Sequence, residues 1–128
     1  MMELDNLIKR FGASTRASLA VTHEGMGYFA VTPKAPYDGE LSTAEQARQL
    51  FEKADARLKE IGSGRDRMVF VAILLRDIGD VASFNAEWDM WVKDVAPPAR
   101  ACFEAKLASP AMKVELIVIC AVPDKPAG

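Results

Sequence analysis

The stretch from Met68 to Leu75 carries apolar side chains at every position, so both of its alternating faces are hydrophobic. Side chains along a strand point to opposite faces in turn, and a strand of this kind reads as central in its sheet and covered on both sides. Val114 to Val122 is almost wholly apolar as well. A chain with two such strands needs elements to cover them, and two helical stretches supply one layer. Ser42-Thr43-Ala44-Glu45 is an S-x-x-E capping box, in which serine and glutamate side chains satisfy orphan backbone donors at a helix start. Ala47, Leu50, Phe51, Ala54, Leu58 and Ile61 follow on one helical face, and Gly62 is a natural stop. Asp80 is a candidate N-cap for a second helix with Val81, Phe84, Trp88, Trp91, Val92 and Val95 on its apolar face, closed by Pro97-Pro98.

The remaining elements are strands. Ser18–His23 and Tyr28–Thr32 read as a hairpin around Glu24-Gly25-Met26-Gly27. Ala99–Leu107 alternates, with Ala101, Phe103, Ala105 and Leu107 on one face and Arg100, Cys102, Glu104 and Lys106 on the other. The order β-β-α-β-α-β-β predicts a two-layer α/β (α+β) domain, a mixed sheet with both helices on one face. Residues 16–123 form this single domain, and 124–128 are a C-terminal tail. Residues 1–15 are an ordered arm or a short helix, since Leu4, Leu7, Ile8 and Phe11 fit a helical turn that Gly12 stops. Helices on one face leave the other apolar and open, which predicts that the sheet packs against copies of the same chain.

Charge and composition narrow the function. Sixteen Lys and Arg against 18 Asp and Glu give a net charge of −2, an argument against nucleic acid as the main partner. No apolar run reaches membrane-spanning length, and Met1–Gly12 lacks a signal-peptide hydrophobic region. Cys102 and Cys120 both sit in strand-like text, as reduced buried thiols of a cytoplasmic protein do. The lone His23 has no partner at metal-ligand spacing, and no phosphate loop, serine elbow or H-E-x-x-H motif is present.

Two charged residues stand out. Arg100 opens an alternating strand behind the rigid Pro97-Pro98, on the same face as Cys102. Its planar fork matches a carboxylate, and backbone groups beside Cys102 add polar contacts. A solvated ion pair with Glu104 or another acid is the simpler account on pattern alone. Glu115 interrupts the last apolar strand. A carboxylate there is functional, paired with Lys113 or Arg100, or exposed at a sheet edge. Antiparallel pairing of the last two strands would bring Arg100 and Glu115 together. Trp88 and Trp91 share the helical stripe with Phe84 and Val92, which assigns them to packing, and Asn85 beside them is expected to bond a backbone group.

Leu75-Arg76-Asp77-Ile78 with Phe84-Asn85-Ala86, then Pro98-Ala99-Arg100-Ala101-Cys102-Phe103-Glu104, then Val114-Glu115-Leu116, together resemble the Rid family, the RidA/YjgF-type enamine/imine deaminases. The resemblance runs over roughly residues 17–122. It implies a homotrimer of chorismate-mutase-like subunits with ligand clefts at the subunit interfaces. It implies hydrolysis of small 2-imino or enamine acids to 2-keto acids and ammonia, with no metal or organic cofactor. Arg100 would clamp the substrate carboxylate, Cys102 would position the imine through its main chain, and Glu115 would orient or activate water. Two places depart from the family pattern. A Ser-Gly-Gln segment is replaced by Ala30-Val31-Thr32, and the first strand opens with Arg16-Ala17-Ser18 in place of a tyrosine. A small-carboxylate-binding or interaction protein of the same fold, without efficient catalysis, is the alternative these departures leave open.

Overall fold

The computed structural model describes residues 7–123. Six strands form one sheet: β1 (Lys9–Phe11), β2 (Ala20–His23), β3 (Met26–Val31), β4 (Met68–Leu75), β5 (Ala99–Glu104) and β6 (Val114–Ala121). Two helices, α1 (Thr43–Glu60) and α2 (Val81–Trp91), lie between β3 and β4 and between β4 and β5. The spatial order is β1-β2-β3-β6-β4-β5. Only β4 and β5 are parallel, joined through α2, and all other pairs are antiparallel. The mixed two-layer architecture is therefore as the sequence predicts, with one extra strand. Lys9–Phe11 is that strand, paired with Ala20–Thr22, where the spacing of Leu7, Ile8 and Phe11 suggested a helical turn. Gly12, at φ 58, turns the chain out of β1 after three residues. Leu4 lies outside the described residues.

Local chemistry explains the boundaries. The capping box at α1 is complete: Ser42 Oγ accepts from the Glu45 N–H at 3.1 Å, and the Glu45 carboxylate accepts from the Ser42 N–H at 2.9 Å. The hairpin turn is tighter than expected. Glu24 and Gly25 both have positive φ (49° and 79°), the geometry that suits the twist of a two-residue hairpin, so Met26 and Gly27 already belong to β3. A 3₁₀ turn, Ile78–Asp80, runs straight into α2, and the side-chain cap comes from Asp77, which accepts from the Gly79 N–H. Asp80 does not cap α2; its carboxylate accepts from Thr43 Oγ1 at 2.6 Å and ties the starts of the two helices together. α2 stops at Trp91, short of Val95, because the Arg65 guanidinium takes the Trp91 carbonyl at 2.6 Å and Pro97 cannot continue a helix. β5 stops at Glu104, short of Leu107. Beyond it, Arg76 holds the loop by donating to the carbonyls of Leu107, Ser109 and Met112.

The core lies between the helices and one face of the sheet. Leu50, Leu58 and Phe84 are fully buried against Val71, Ile73, Leu75, Val114, Leu116 and Val118. Phe51, Phe84, Trp88 and Trp91 form an aromatic cluster, with the Phe51 and Trp91 rings stacked at 4.4 Å. Gln46 is fully buried and fully used: its amide donates to the Asp38 and Ala111 carbonyls and its Oε1 accepts from the Lys113 N–H. β4 is an inner strand but not the central one, since it lies next to the β5 edge, and the chain covers it on one side only. Its other face carries Phe70, Ala72 and Leu74, continuous with Tyr28, Ile117 and Phe103, which are 42%, 42% and 46% exposed. No helix among the described residues is long and apolar enough to cross a membrane.

Trp88 is 4% exposed and packs between Phe51, Phe84 and Trp91, as the periodicity assigns it. Trp88→Ala should cost about 3–5 kcal/mol in urea denaturation, the usual penalty for emptying a large aromatic site.

Candidate functional site

The two standout residues occupy opposite faces of the sheet. Arg100 is level with Val71 on β4, which is level with Val118 on β6, and both valines are fully buried under the helices. Glu115 is level with Leu74 and, through it, with Phe103, on the face the helices leave open. The expected pairing of the last two strands does not occur, because β4 lies between them. The α2 crossover makes β5 parallel to β4 at the sheet edge, and β6 enters antiparallel on the other flank of β4. Within one chain, Arg100 and Glu115 therefore do not share a pocket.

Arg100 is held firmly on the helix side. Its guanidinium donates to Asn85 Oδ1 at 2.6 Å and lies 5.2 Å from the centre of the Trp88 ring. Asn85 and Trp88 are three residues apart, one turn of α2, so both reach the same edge of the sheet. This corrects the expectation that Asn85 bonds a backbone group. It also gives Trp88 a second contact besides packing. Asn85 neutralises no charge, and among the described residues no carboxylate forms an ion pair with Arg100, Glu104 included. Glu104 instead accepts from the Ile78 N–H at 3.0 Å. The signal for the Arg100–Asn85 contact was present in the sequence, as a polar residue beside an otherwise apolar helical stripe. Naming its partner required the position of β5.

Cys102 shares the face of Arg100 and packs against the rim of the core. Burial pushes its thiol up, and the nearby Arg100 charge only partly opposes this, so the sulfur is a poorly activated nucleophile. Its backbone is better placed. The Ala105 N–H donates to the Leu75 carbonyl on β4. Backbone groups alternate sides along a strand, so those of Cys102 point to the free edge of β5, beside Arg100. A cation and unpaired main-chain groups on one edge can receive a small carboxylate and a polar group attached to it.

Glu115 stands on the open face between the apolar Leu74 and Ile117. Burial pushes its carboxyl above the usual 4.5, with no opposing charge or hydrogen bond. Lys113, a partner the sequence left open, instead donates its ammonium to the Leu41 carbonyl at 2.6 Å. A cavity of about 450 Å³ lies elsewhere: Lys9, Phe11, Thr22, His23, Ile61 and Val122 line it at the β1 end of the sheet, opposite Arg100.

Comparison with known proteins gives this arrangement a family. The family described as Endoribonuclease L-PSP matches residues 7–122. The chain belongs to this family, which includes the YjgF, Rid and RutC proteins. A RutC family protein of Haemophilus influenzae is 38% identical over 113 residues, 88% of this chain and 96% of that protein. A YjgF family member from Neisseria meningitidis has a solved structure that is 35% identical, with a TM-score of 0.83, covering 92% of this chain and 97% of its own. A Pseudomonas aeruginosa protein of solved structure is 32% identical, also at a TM-score of 0.83, covering 91% and 99%.

The raised carboxyl of Glu115 sets the sign of a pH effect. A carboxyl whose folded pKa lies above its unfolded value favours folding while both states are protonated, and that contribution is lost as pH rises through the folded pKa. Glu115→Gln should therefore melt higher than the parent at pH 7. The gap should close as the pH falls below 4, a trend that thermal melts across pH 3–8 will check.

Proposed function

We propose that the protein is a homotrimeric deaminase of small 2-imino acids, with Arg100 and Glu115 brought together from two different copies of the chain. The observation that carries this reading is their placement on opposite faces of one sheet. A copy that lays its β5 edge across the open face of a neighbour joins the two residues in one cleft. The same contact covers Tyr28, Ile117 and Phe103, apolar surface that the helices leave bare.

In that cleft the Arg100 fork takes the substrate carboxylate in bidentate fashion. The free main-chain groups of Cys102 hold the imine nitrogen. Glu115 of the adjoining copy accepts a proton from water as the water oxygen bonds to the imine carbon and the C=N electron pair moves to nitrogen. The proton passes on to that nitrogen and gives the carbinolamine; Glu115 then carries the carbinolamine hydroxyl proton to the amine, the C=O bond forms as the C–N bond breaks, and ammonia and a 2-keto acid leave. A carboxyl raised by burial is closer to neutral pH and a better base than an ordinary glutamate. A net charge of −2 argues against RNA as the main ligand. The free thiols of Cys102 and Cys120 suit a reducing, cytoplasmic setting.

A second reading has its own observation. Val31, in the segment that departs from the family's Ser-Gly-Gln, is buried in the core and offers no polar group. The protein is then a trimeric small-carboxylate binder that keeps Arg100 and lacks efficient turnover.

Imino acids generated by an amino-acid oxidase, with 2-keto acid release followed in time, test both readings. Arg100→Ala and Arg100→Lys should each lose turnover and weaken calorimetric binding of 2-oxobutyrate, since an ammonium cannot reproduce the fork. Glu115→Gln should lose turnover and keep most of the binding. Mixing unfolded Arg100→Ala and Glu115→Gln chains and refolding them together should restore activity, because about a quarter of interfaces then carry both native residues. A mixture as inactive as its components rejects the two-copy site. Arg100-dependent binding with no parent turnover selects the carboxylate binder.

A further inference from the structure

We infer that Thr32 and Tyr37 form a hydroxyl pair that positions the water acted on by Glu115, a role for positioning residues that rests on the deaminase reading above. Tyr37 Oη donates to Thr32 Oγ1 at 3.2 Å, and both side chains are partly buried. β3 ends with Val31 level with Leu116 of β6, so one further step of the same register sets Thr32 beside Glu115. Thr32 precedes Pro33, which keeps its backbone extended and prolongs the alternation by that one residue. The faces agree: Phe29 and Val31 are buried under the helices, and Ala30 is level with Ile117 on the open face. Thr32 therefore takes the open face, next to the carboxylate.

The chemistry is specific. Two hydroxyls share one hydrogen bond, which leaves a second hydroxyl proton for an outside acceptor. Cross-strand neighbours stand about 5 Å apart at Cβ, a gap that one water fills between a threonine hydroxyl and a glutamate. Among the described residues, the other neighbours of Glu115 offer it no hydrogen bond. Leu74 and Phe103 face it from β4 and β5, Ile117 follows it on β6, and the Lys113 ammonium is turned to Leu41. Thr32 thus supplies a polar contact within the segment where the chain departs from the family pattern, and Tyr37, from the loop after β3, fixes its rotamer.

Thr32→Val and Tyr37→Phe remove the hydroxyls with little change of shape, and Thr32→Ser keeps one. Two measurements on the full chain decide the matter: kcat and KM in the oxidase-coupled assay, and the titration of Glu115 followed by the NMR shift of its ¹³C-labelled carboxyl. Thr32→Val should lower kcat at least tenfold with KM within about twofold, and should raise the Glu115 pKa, because the carboxylate loses a donor through water. Thr32→Ser should restore both quantities, and Tyr37→Phe should move them in the same direction by a smaller amount. An unchanged Glu115 titration in Thr32→Val overturns the pairing, whether or not the parent turns over imino acids. A parent without turnover rejects the deaminase reading alone, since the carboxyl titration still reports on the hydroxyl pair.

Discussion

The insertion of β6 between β3 and β4 decides most of what this molecule can do. It is antiparallel to both neighbours, paired with β4 from Val114 to Cys120 and with β3 from Leu116 to Ala121. Its alternate residues Val114, Leu116, Val118 and Cys120 are driven completely under the helices. The residues between them, Glu115, Ile117 and Ile119, are committed to the opposite face by the same alternation. A slip of one residue would bury the carboxylate in the core and expose four apolar side chains, so the position of Glu115 is fixed by the burial of its neighbours. The cost of holding a partly desolvated carboxylate is offset by the fully buried side chains on either side of it.

The opposite edge of the sheet solves a different problem. β5 has one free edge, and Arg100 is its cation on the helix side. Asn85 accepts one of its hydrogen bonds and the Trp88 ring supports its plane, yet neither cancels its charge. An arginine with a neutral partner retains its attraction for an anion, whereas one in an ion pair would already have spent it. The contacts that place the guanidinium thus leave it available. Charged groups fixed by packing on regular elements hold their geometry better than groups on loops, and both Arg100 and Glu115 lie within strands.

Much of this was readable from the residues because the interactions are local. The capping box at Ser42 and Glu45, the helical stripe from Ala47 to Leu58, the stripe containing Trp88 and Trp91, and the alternation in β5 each depend on neighbours a few positions apart. The boundaries that moved did so through distant partners. α2 ends early because Arg65 takes the Trp91 carbonyl, β5 ends early because Arg76 pins the loop beyond it, and Asp80 binds Thr43 in place of capping its own helix. The short β1 strand was missed because Lys9–Phe11 becomes a strand only by pairing with β2.

The two candidate residues stand out in the sequence, since a lone glutamate in an apolar strand and an arginine behind two prolines are visible without coordinates. Their mutual placement does not. Alternation along each strand says which residues share a face within that strand, but it carries no information on which strands are neighbours or on the relative phase of two faces. That phase is set when the α2 crossover turns β5 parallel to β4 and the hydrophobic faces of β4 and β6 seek the same helices. Sequence therefore determined the two faces of each strand it marked, and tertiary packing alone decided that Arg100 and Glu115 lie on different sides of the sheet.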